Sequence, residues 1–588
     1  MDSKAALPIY APTAPQKRAS KIKPALLLCC LLGLIYYRCF PKQQRRGVTG
    51  RPAYLVEARN GAVASENVLC SEIGVDMLKA GGNAVDAAVA ATFCAGTVAM
   101  FSSGIGGGGW MTVRIPPSQS GPNATSQVFT VDFRETAPSL ANSTMFPPRS
   151  NASLFGGLSV GVPGELRGLE TAHRRWGSLP WKTLVAPSVD LARGWILQEE
   201  LADRITWFPT LMLENPDWSA TFAPNGRFLR KGEIIRRTNY SRTLSRIANE
   251  GADSFYKGPI AESLVKKISE TGGILSLSDL ANYTIKVQPA LQGTYRGRKV
   301  YTTHEPGSGP VLLHMLNLME TYPKSPRTPL SMHRVVEAIK FGFAARTKIG
   351  DPAFDSDPAR MEQIPTKEFA RLIAANITDD RTHRAEYYRP EFDVVNDHGT
   401  SHTSVIDRNG MAVSLTSTVN LIFGSQVLDP ETGIILNDEM DDFSVPGTPN
   451  GFGLYPSPYN YPAPGKRPLS STVPTIIENA DGEVELAIGG SGGGRIFGAV
   501  FQTILNLEWG LDTSEAVEFW RLHNSLLPIQ TDADLGYPAD VIAGLVARGH
   551  NMTGTPPIAA VVQAVRRRED GSLEAASDSR KRGVAAGY

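Results

Sequence analysis

Alternation of polar and apolar positions is clearest over residues 400–407, Thr-Ser-His-Thr-Ser-Val-Ile-Asp, and again over residues 411–420, with Arg408-Asn409-Gly410 between them. Period-two runs around an Asn-Gly step predict two strands and a tight hairpin turn. A turn centred on Asn409-Gly410 returns Thr418 to the level of Thr400 and Ser401, and period two then puts Asn420 on the same strand face as Thr418. Elsewhere, helical periodicity covers residues 166–175 and 330–346, and strand-like runs cover 128–133 and 484–488. A helix capped by Ser65 runs to Lys79, stops at Gly81-Gly82 and resumes over 84–95. Such an αα-hairpin sets Cys70 and Cys94 at one level and predicts a disulfide between them. Mixed α and β content follows.

One apolar run, residues 25–37, sits near the start. It is flanked by Lys17, Arg18, Lys21 and Lys23 before it and by Arg38, Lys42, Arg45 and Arg46 after it. No small-x-small cleavage pattern follows, so a retained signal-anchor over 24–40 is expected, although the run is short beside the roughly 20 residues that span a bilayer. The flanking charges leave orientation open. The sequons at Asn123, Asn142, Asn151, Asn239, Asn282, Asn376 and Asn551 all follow the run. They point to a single-pass type II membrane protein and a glycoprotein, with residues 1–23 as cytosolic tail, 41–57 as linker and the remainder outside the cell or in a secretory or vacuolar lumen. Residues 455–464, rich in tyrosine and proline, predict a surface loop able to border a site.

The 588 residues are 42% hydrophobic and 20% charged, with a formal net charge of +1. A large core is expected, and a nucleic-acid partner is not. Gly104-Ile105-Gly106-Gly107-Gly108-Gly109 matches a dinucleotide fingerprint formally, but it leads into strand-like Trp110-Met111-Thr112-Val113 and so lacks the helix N-terminus that binds phosphate. Neither H-E-x-x-H nor C-x-x-C occurs, so no metal and no cofactor is expected.

The Gly399-Thr400 step has a chemical reading beyond an ordinary hairpin start. A threonine hydroxyl becomes a nucleophile when a base removes its proton, and a free α-amine, with a pKa near 7.7–8.0, is such a base. That amine exists only once the Gly399–Thr400 bond is cut. His402 is not needed as the base.

Several stretches in order resemble the gamma-glutamyltransferases, a family of autoprocessing N-terminal-nucleophile hydrolases, over about residues 58–588. They are Asp132-Phe133-Arg134-Glu135-Thr136-Ala137-Pro138, Gly156-Gly157-Leu158-Ser159-Val160-Gly161-Val162-Pro163-Gly164-Glu165, residues 400–424, Asn437-Asp438-Glu439-Met440-Asp441-Asp442-Phe443, Pro468-Leu469-Ser470-Ser471, Gly490-Ser491-Gly492-Gly493 and Ala576-Ser577-Asp578-Ser579-Arg580-Lys581. The resemblance implies an α+β fold, a four-layer αββα sandwich built jointly by a large chain, 58–399, and a small chain, 400–588, which form a heterodimer derived from one precursor. It implies a gamma-glutamyltransferase and glutathione hydrolase that passes a γ-glutamyl group to water, amino acids or dipeptides. Thr400 would be the nucleophile, with Thr418 beside it and Gly492 and Gly493 as oxyanion donors. Arg134, Ser470 and Ser471 would hold the donor α-carboxylate, and Asn420, Glu439 and Asp442 its α-ammonium. A glutaryl-type amidase and a non-catalytic γ-glutamyl-binding ectodomain are the alternatives.

Overall fold

The strands Ser401–Asp407 and Ala412–Thr418 pair antiparallel, and every residue in both is buried. Val405, Val413 and Leu415 face a helix-covered core, whereas Ile406 and Ala412 pack with Ile476, Ala487 and Val565 of a second sheet. Polar residues on that second face are dry. His402, Ser404 and Ser414 bond to one another, to Thr416, and to the Gln563 and Ile488 carbonyls, which makes their burial tolerable.

The computed structural model describes residues 44–120, 125–146, 151–393, 399–447, 449–450, 453–557 and 560–588. Within the unit Arg45–Tyr588, two seven-stranded sheets stack face to face. The first runs, edge to edge, Ala586–Gly587, Gly61–Ser65, Ser401–Asp407, Ala412–Thr418, Gly108–Ile115, Gln127–Phe133, Lys286–Pro289. The second runs Leu291–Tyr295, Arg298–Thr302, Thr475–Glu478, Val484–Ser491, Val561–Arg567, Leu573–Ser577, Val56–Ala58. Helices Val68–Lys79, Ala84–Val98 and Glu165–Trp176 cover the outer face of the first sheet, and Gly309–Glu320, Ile496–Glu508 and Thr513–Glu518 that of the second. The result is an αββα sandwich of α+β class. Both sheets mix strands from either side of Gly399, so the two parts share one core and neither closes it alone.

Cys70 and Cys94 form a disulfide between the first two helices, with Cα atoms 5.2 Å apart. The glycine run at 104–109 enters the strand Gly108–Ile115. Its composition serves close packing, since a Cβ on Gly107 would lie 1.9 Å from the Thr418 carbonyl.

Several local expectations are corrected. Asn67 caps the first helix, its side chain accepting from Leu69 N–H, because Ser65 is occupied in the sheet opposite Thr403. The hairpin register itself is as expected: Ser401 lies opposite Ser417, which leaves Thr418 at the level of Thr400. Its connection is longer than a two-residue Asn-Gly turn, because the Asp407 carboxylate accepts from both Asn409 N–H and Met411 N–H. Asn420 is not on a strand, having left the sheet at φ +71°.

The single-pass type II membrane reading is also corrected. Among the described residues no helix is long and apolar enough to cross a membrane. The 24–40 segment on which that reading rested lies outside the described residues, and its apolar run falls short of a bilayer's thickness.

Candidate active site

The hairpin's open end carries an unusual backbone. Gly399 has φ +83°, and a Cβ there would lie 1.4 Å from the Asn420 carbonyl oxygen, so no other residue fits. Thr400 follows at φ +97°, a strained conformation for a β-branched side chain. Its hydroxyl donates to Thr418 Oγ1 at 3.4 Å, and Thr418 Oγ1 also accepts from Asn420 N–H at 2.8 Å. Gly492 N–H donates to the Gly399 carbonyl at 3.1 Å. Gly493 starts the short helical turn Gly493–Arg495 directly behind it. The strained peptide bond therefore has a hydroxyl on one side and an N–H on its carbonyl.

Lys581, absent from the candidates drawn from sequence, reaches this point from the far end of the chain. Its ammonium donates to the Thr400 carbonyl at 2.8 Å and to Glu66 Oε2 at 3.0 Å, with Ser102 and Ser491 hydroxyls each at 3.2 Å. Its only sequence signal is membership of the terminal Ser-Asp-Ser-Arg-Lys stretch. A cleft of about 420 Å³, walled by Phe101, Phe208, Leu421 and Ile422, opens beside Gly399, Gly492 and Lys581.

A charged cluster packs nearby in the same sandwich. Arg134, 1% exposed, pairs with Glu439, with Asp442 Oδ2 at 2.5 Å and with the Leu469 carbonyl at 3.0 Å, and lies over the Trp110 ring. Glu439 and Asp442 share one 3-10 turn, Glu439–Asp442, which presents both carboxylates to one guanidinium. Ser470 and Ser471 are buried just past Leu469, and the Ser470 hydroxyl bonds to Thr472 Oγ1. Asn420 turns its amide to the Asp438 carbonyl, tying the hairpin end to this acidic turn.

Two asparagines support the cluster without having been predicted to. Asn437 holds Gly106 and Gly161 with its side-chain amide and accepts from Glu439 N–H. Asn460 donates to the Asp442 carbonyl and accepts from Leu469 N–H. Asn460 is buried, so the 455–464 stretch, expected as a surface loop, is pinned against the cluster at that point.

Burial sets the electrostatics. It pushes the Glu135 and Glu165 carboxyls up to about 8, against the opposing pull of Arg134 on Glu135 and of a Ser417 hydrogen bond on Glu165. It pushes His402 down to about 3, and Thr416 and Ser404 occupy both of its ring nitrogens. His402 is thus a neutral core residue.

The raised carboxyls give a stability prediction. Their folded values exceed the ordinary 4.5, so folding retains protons that the unfolded chain releases. Their contribution is complete below the unfolded value and is lost as pH rises through about 8. The urea midpoint should fall between about pH 4.5 and pH 8, and Glu165→Gln should flatten that slope. An equal slope in the variant would reject Glu165 as a source.

The fold and this site define an N-terminal-nucleophile hydrolase. Over residues 70–588 the sequence matches the gamma-glutamyltranspeptidase family model. A glutathione hydrolase proenzyme of Schizosaccharomyces pombe is 45% identical over 94% of this chain and 88% of its own length, and one of Escherichia coli is 36% identical over 89% and 91%. Among solved structures, cephalosporin acylase from Bacillus halodurans superposes with a TM-score of 0.79 at 25% identity, covering 94% of this chain and 98% of its own. The chain belongs to the gamma-glutamyltranspeptidase family and is an enzyme of that acyl-transferring, hydrolytic type.

Proposed function

We propose that this chain is a glutathione hydrolase and gamma-glutamyltransferase that first cuts itself between Gly399 and Thr400. Thr400 Oγ attacks the Gly399 carbonyl carbon, the C–N bond breaks as the departing nitrogen takes a proton, and an ester remains. Water hydrolyses that ester, leaving a large chain, 58–399, ending in a carboxylate and a small chain, 400–588, beginning with a free amine. The observation carrying this reading is the Gly399–Thr400 bond itself: strained at φ +97°, with Gly492 N–H on its carbonyl and a hydroxyl pair beside it. Relief of backbone strain favours scission.

The released Thr400 amine then accepts the Oγ proton as the hydroxyl attacks the γ-carbonyl of glutathione. Gly492 and Gly493 N–H groups stabilise the oxyanion, cysteinylglycine leaves, and a γ-glutamyl ester remains on Thr400. Water, an amino acid or a dipeptide takes the acyl group. Arg134, Ser470 and Ser471 hold the donor α-carboxylate, and Asn420, Glu439 and Asp442 hold its α-ammonium. The direct pairing of Arg134 with Glu439 and Asp442 supports this assignment, since a zwitterion inserted between opposite charges satisfies both. The resemblance to cephalosporin acylase keeps one second reading, a glutaryl-type amidase. A γ-glutamyl anilide should be turned over in water and faster with a dipeptide acceptor; no turnover of it by fully split protein would overturn the proposal. We also assign the exposed Asn142, Asn151, Asn282 and Asn551 as N-glycan acceptors, which an endoglycosidase mass shift would test.

Thr418 orients the base in this scheme. Thr418→Ala should slow scission and lower kcat about ten- to a hundredfold with a smaller change in KM, as expected for a lost hydrogen bond to a reacting group. Complete cleavage with unchanged kcat would place the amine elsewhere.

A further inference from the structure

Far from Thr400 in sequence, three side chains converge from two segments. His333 and Glu337 lie one turn apart on the helix Pro329–Arg346, and His550 follows the helix Ala539–Val546. One ligand-type atom from each lies within 4.8 Å of the other two, and all three residues are buried. We propose that His333, Glu337 and His550 bind a divalent transition-metal ion, zinc above all, as a structural staple.

The donor set and its surroundings carry the assignment. Two imidazoles and one carboxylate suit zinc, where all-oxygen sites suit magnesium or calcium. His333 Nε2 donates to the Thr378 carbonyl at 2.7 Å, which leaves Nδ1 with its lone pair turned to His550 Nε2, 2.8 Å away. That is the outer hydrogen bond expected of a metal-bound histidine. A tetrahedral ion with zinc–nitrogen bonds of 2.0–2.1 Å needs its two nitrogens about 3.3 Å apart, so the rings must separate by roughly half an ångström. The ion takes the place of the proton on His550 Nε2, which moves to His550 Nδ1, so both rings bind as neutral imidazoles.

Glu337 is oriented in the same way, with Tyr388 hydroxyl donating to Oε2 and Thr382 hydroxyl to Oε1, both at 2.6 Å. Lys340 is the competing cation, but its ammonium is 3.5 Å from Glu337 Oε1. It has closer partners in Thr382 Oγ1 and Tyr388 OH, both at 2.6 Å, and the His383 carbonyl at 3.3 Å. It keeps these three when the carboxylate turns to a metal. Water completes the coordination.

Position gives the staple a purpose. Thr378, Thr382 and Tyr388 belong to the segment that leads to Gly399, and His333 and Glu337 precede Gly399 while His550 follows it. On the proposed scission, the ion therefore ties the large chain to the small one.

The test uses full-length protein dialysed against chelator and then titrated with ZnCl2 or CoCl2. We expect one equivalent bound per large-and-small-chain pair, a tetrahedral cobalt spectrum and a raised Tm. His333→Ala and His550→Ala should each weaken uptake at least about tenfold. Unsplit Thr400→Ala protein should bind zinc as well as wild type, which separates this proposal from that of scission. Wild-type protein without a tetrahedral cobalt spectrum, or zinc uptake unchanged in both histidine variants, would overturn the site. Should the variants fail to fold, the wild-type cobalt spectrum decides.

Discussion

Thr400→Ala protein should be recovered as one continuous chain through residue 400, with γ-glutamyl anilide turnover reduced to background. The substitution removes the hydroxyl proposed to attack the Gly399 carbonyl and, with it, the proposed nucleophile of turnover. Nothing nearby replaces it. Thr418 Oγ1 accepts from Asn420 N–H, and His402 is held neutral with both ring nitrogens engaged. The loss should therefore reach the size seen when a covalent nucleophile is deleted, several powers of ten in kcat. Intact mass and N-terminal sequencing provide the measurement. Wild type should yield a chain beginning at Thr400, and an active wild-type enzyme still continuous through that residue would overturn the mechanism. Gly399→Ala should also remain uncut, for a different reason: its methyl group would collide with the Asn420 carbonyl and displace the scissile bond.

Asp442→Ala should lower kcat/KM for a γ-glutamyl donor roughly thirtyfold to several thousandfold. Removing one member of a buried charge pair costs about 2–5 kcal/mol, and each 1.4 kcal/mol is a factor of ten. Arg134 is 1% exposed and shares its guanidinium between Glu439 and Asp442, so water cannot take the place of the lost carboxylate. A glutaryl donor, lacking the amino group, should be a poor substrate for wild type because it leaves that carboxylate without a cation. The preference should shrink in the variant. Kinetics with matched γ-glutamyl and glutaryl anilides separate the readings: equal turnover of both by wild type would favour the glutaryl-type amidase.

The charge cluster also marks how far local sequence carries. Arg134, Glu439 and Asp442 stand out only through resemblance, since an arginine after a strand and an acidic turn are ordinary surface features. Their pairing spans more than 300 residues. Asn460 and Lys581 were not singled out for the same reason: their partners lie in distant segments, and nothing in their own neighbourhoods marks them.

By itself, the sequence determined the elements whose causes are local. The period-two runs gave the hairpin, the glycine pair between helical runs gave the αα-hairpin that joins Cys70 to Cys94, and Gly399-Thr400 marked the bond proposed to react. Tertiary structure decided what each polar face meets. Alternation at His402, Ser404 and Ser414 is equally compatible with solvent, but the second sheet covers them, and burial turns His402 neutral. It also set the positive φ of Thr400, beside a Gly399 on which Asn420 and Gly492 close from two sides. Periodicity reports which residues share a face; only packing fixes the dielectric, the partners and the strain that convert such a face into chemistry.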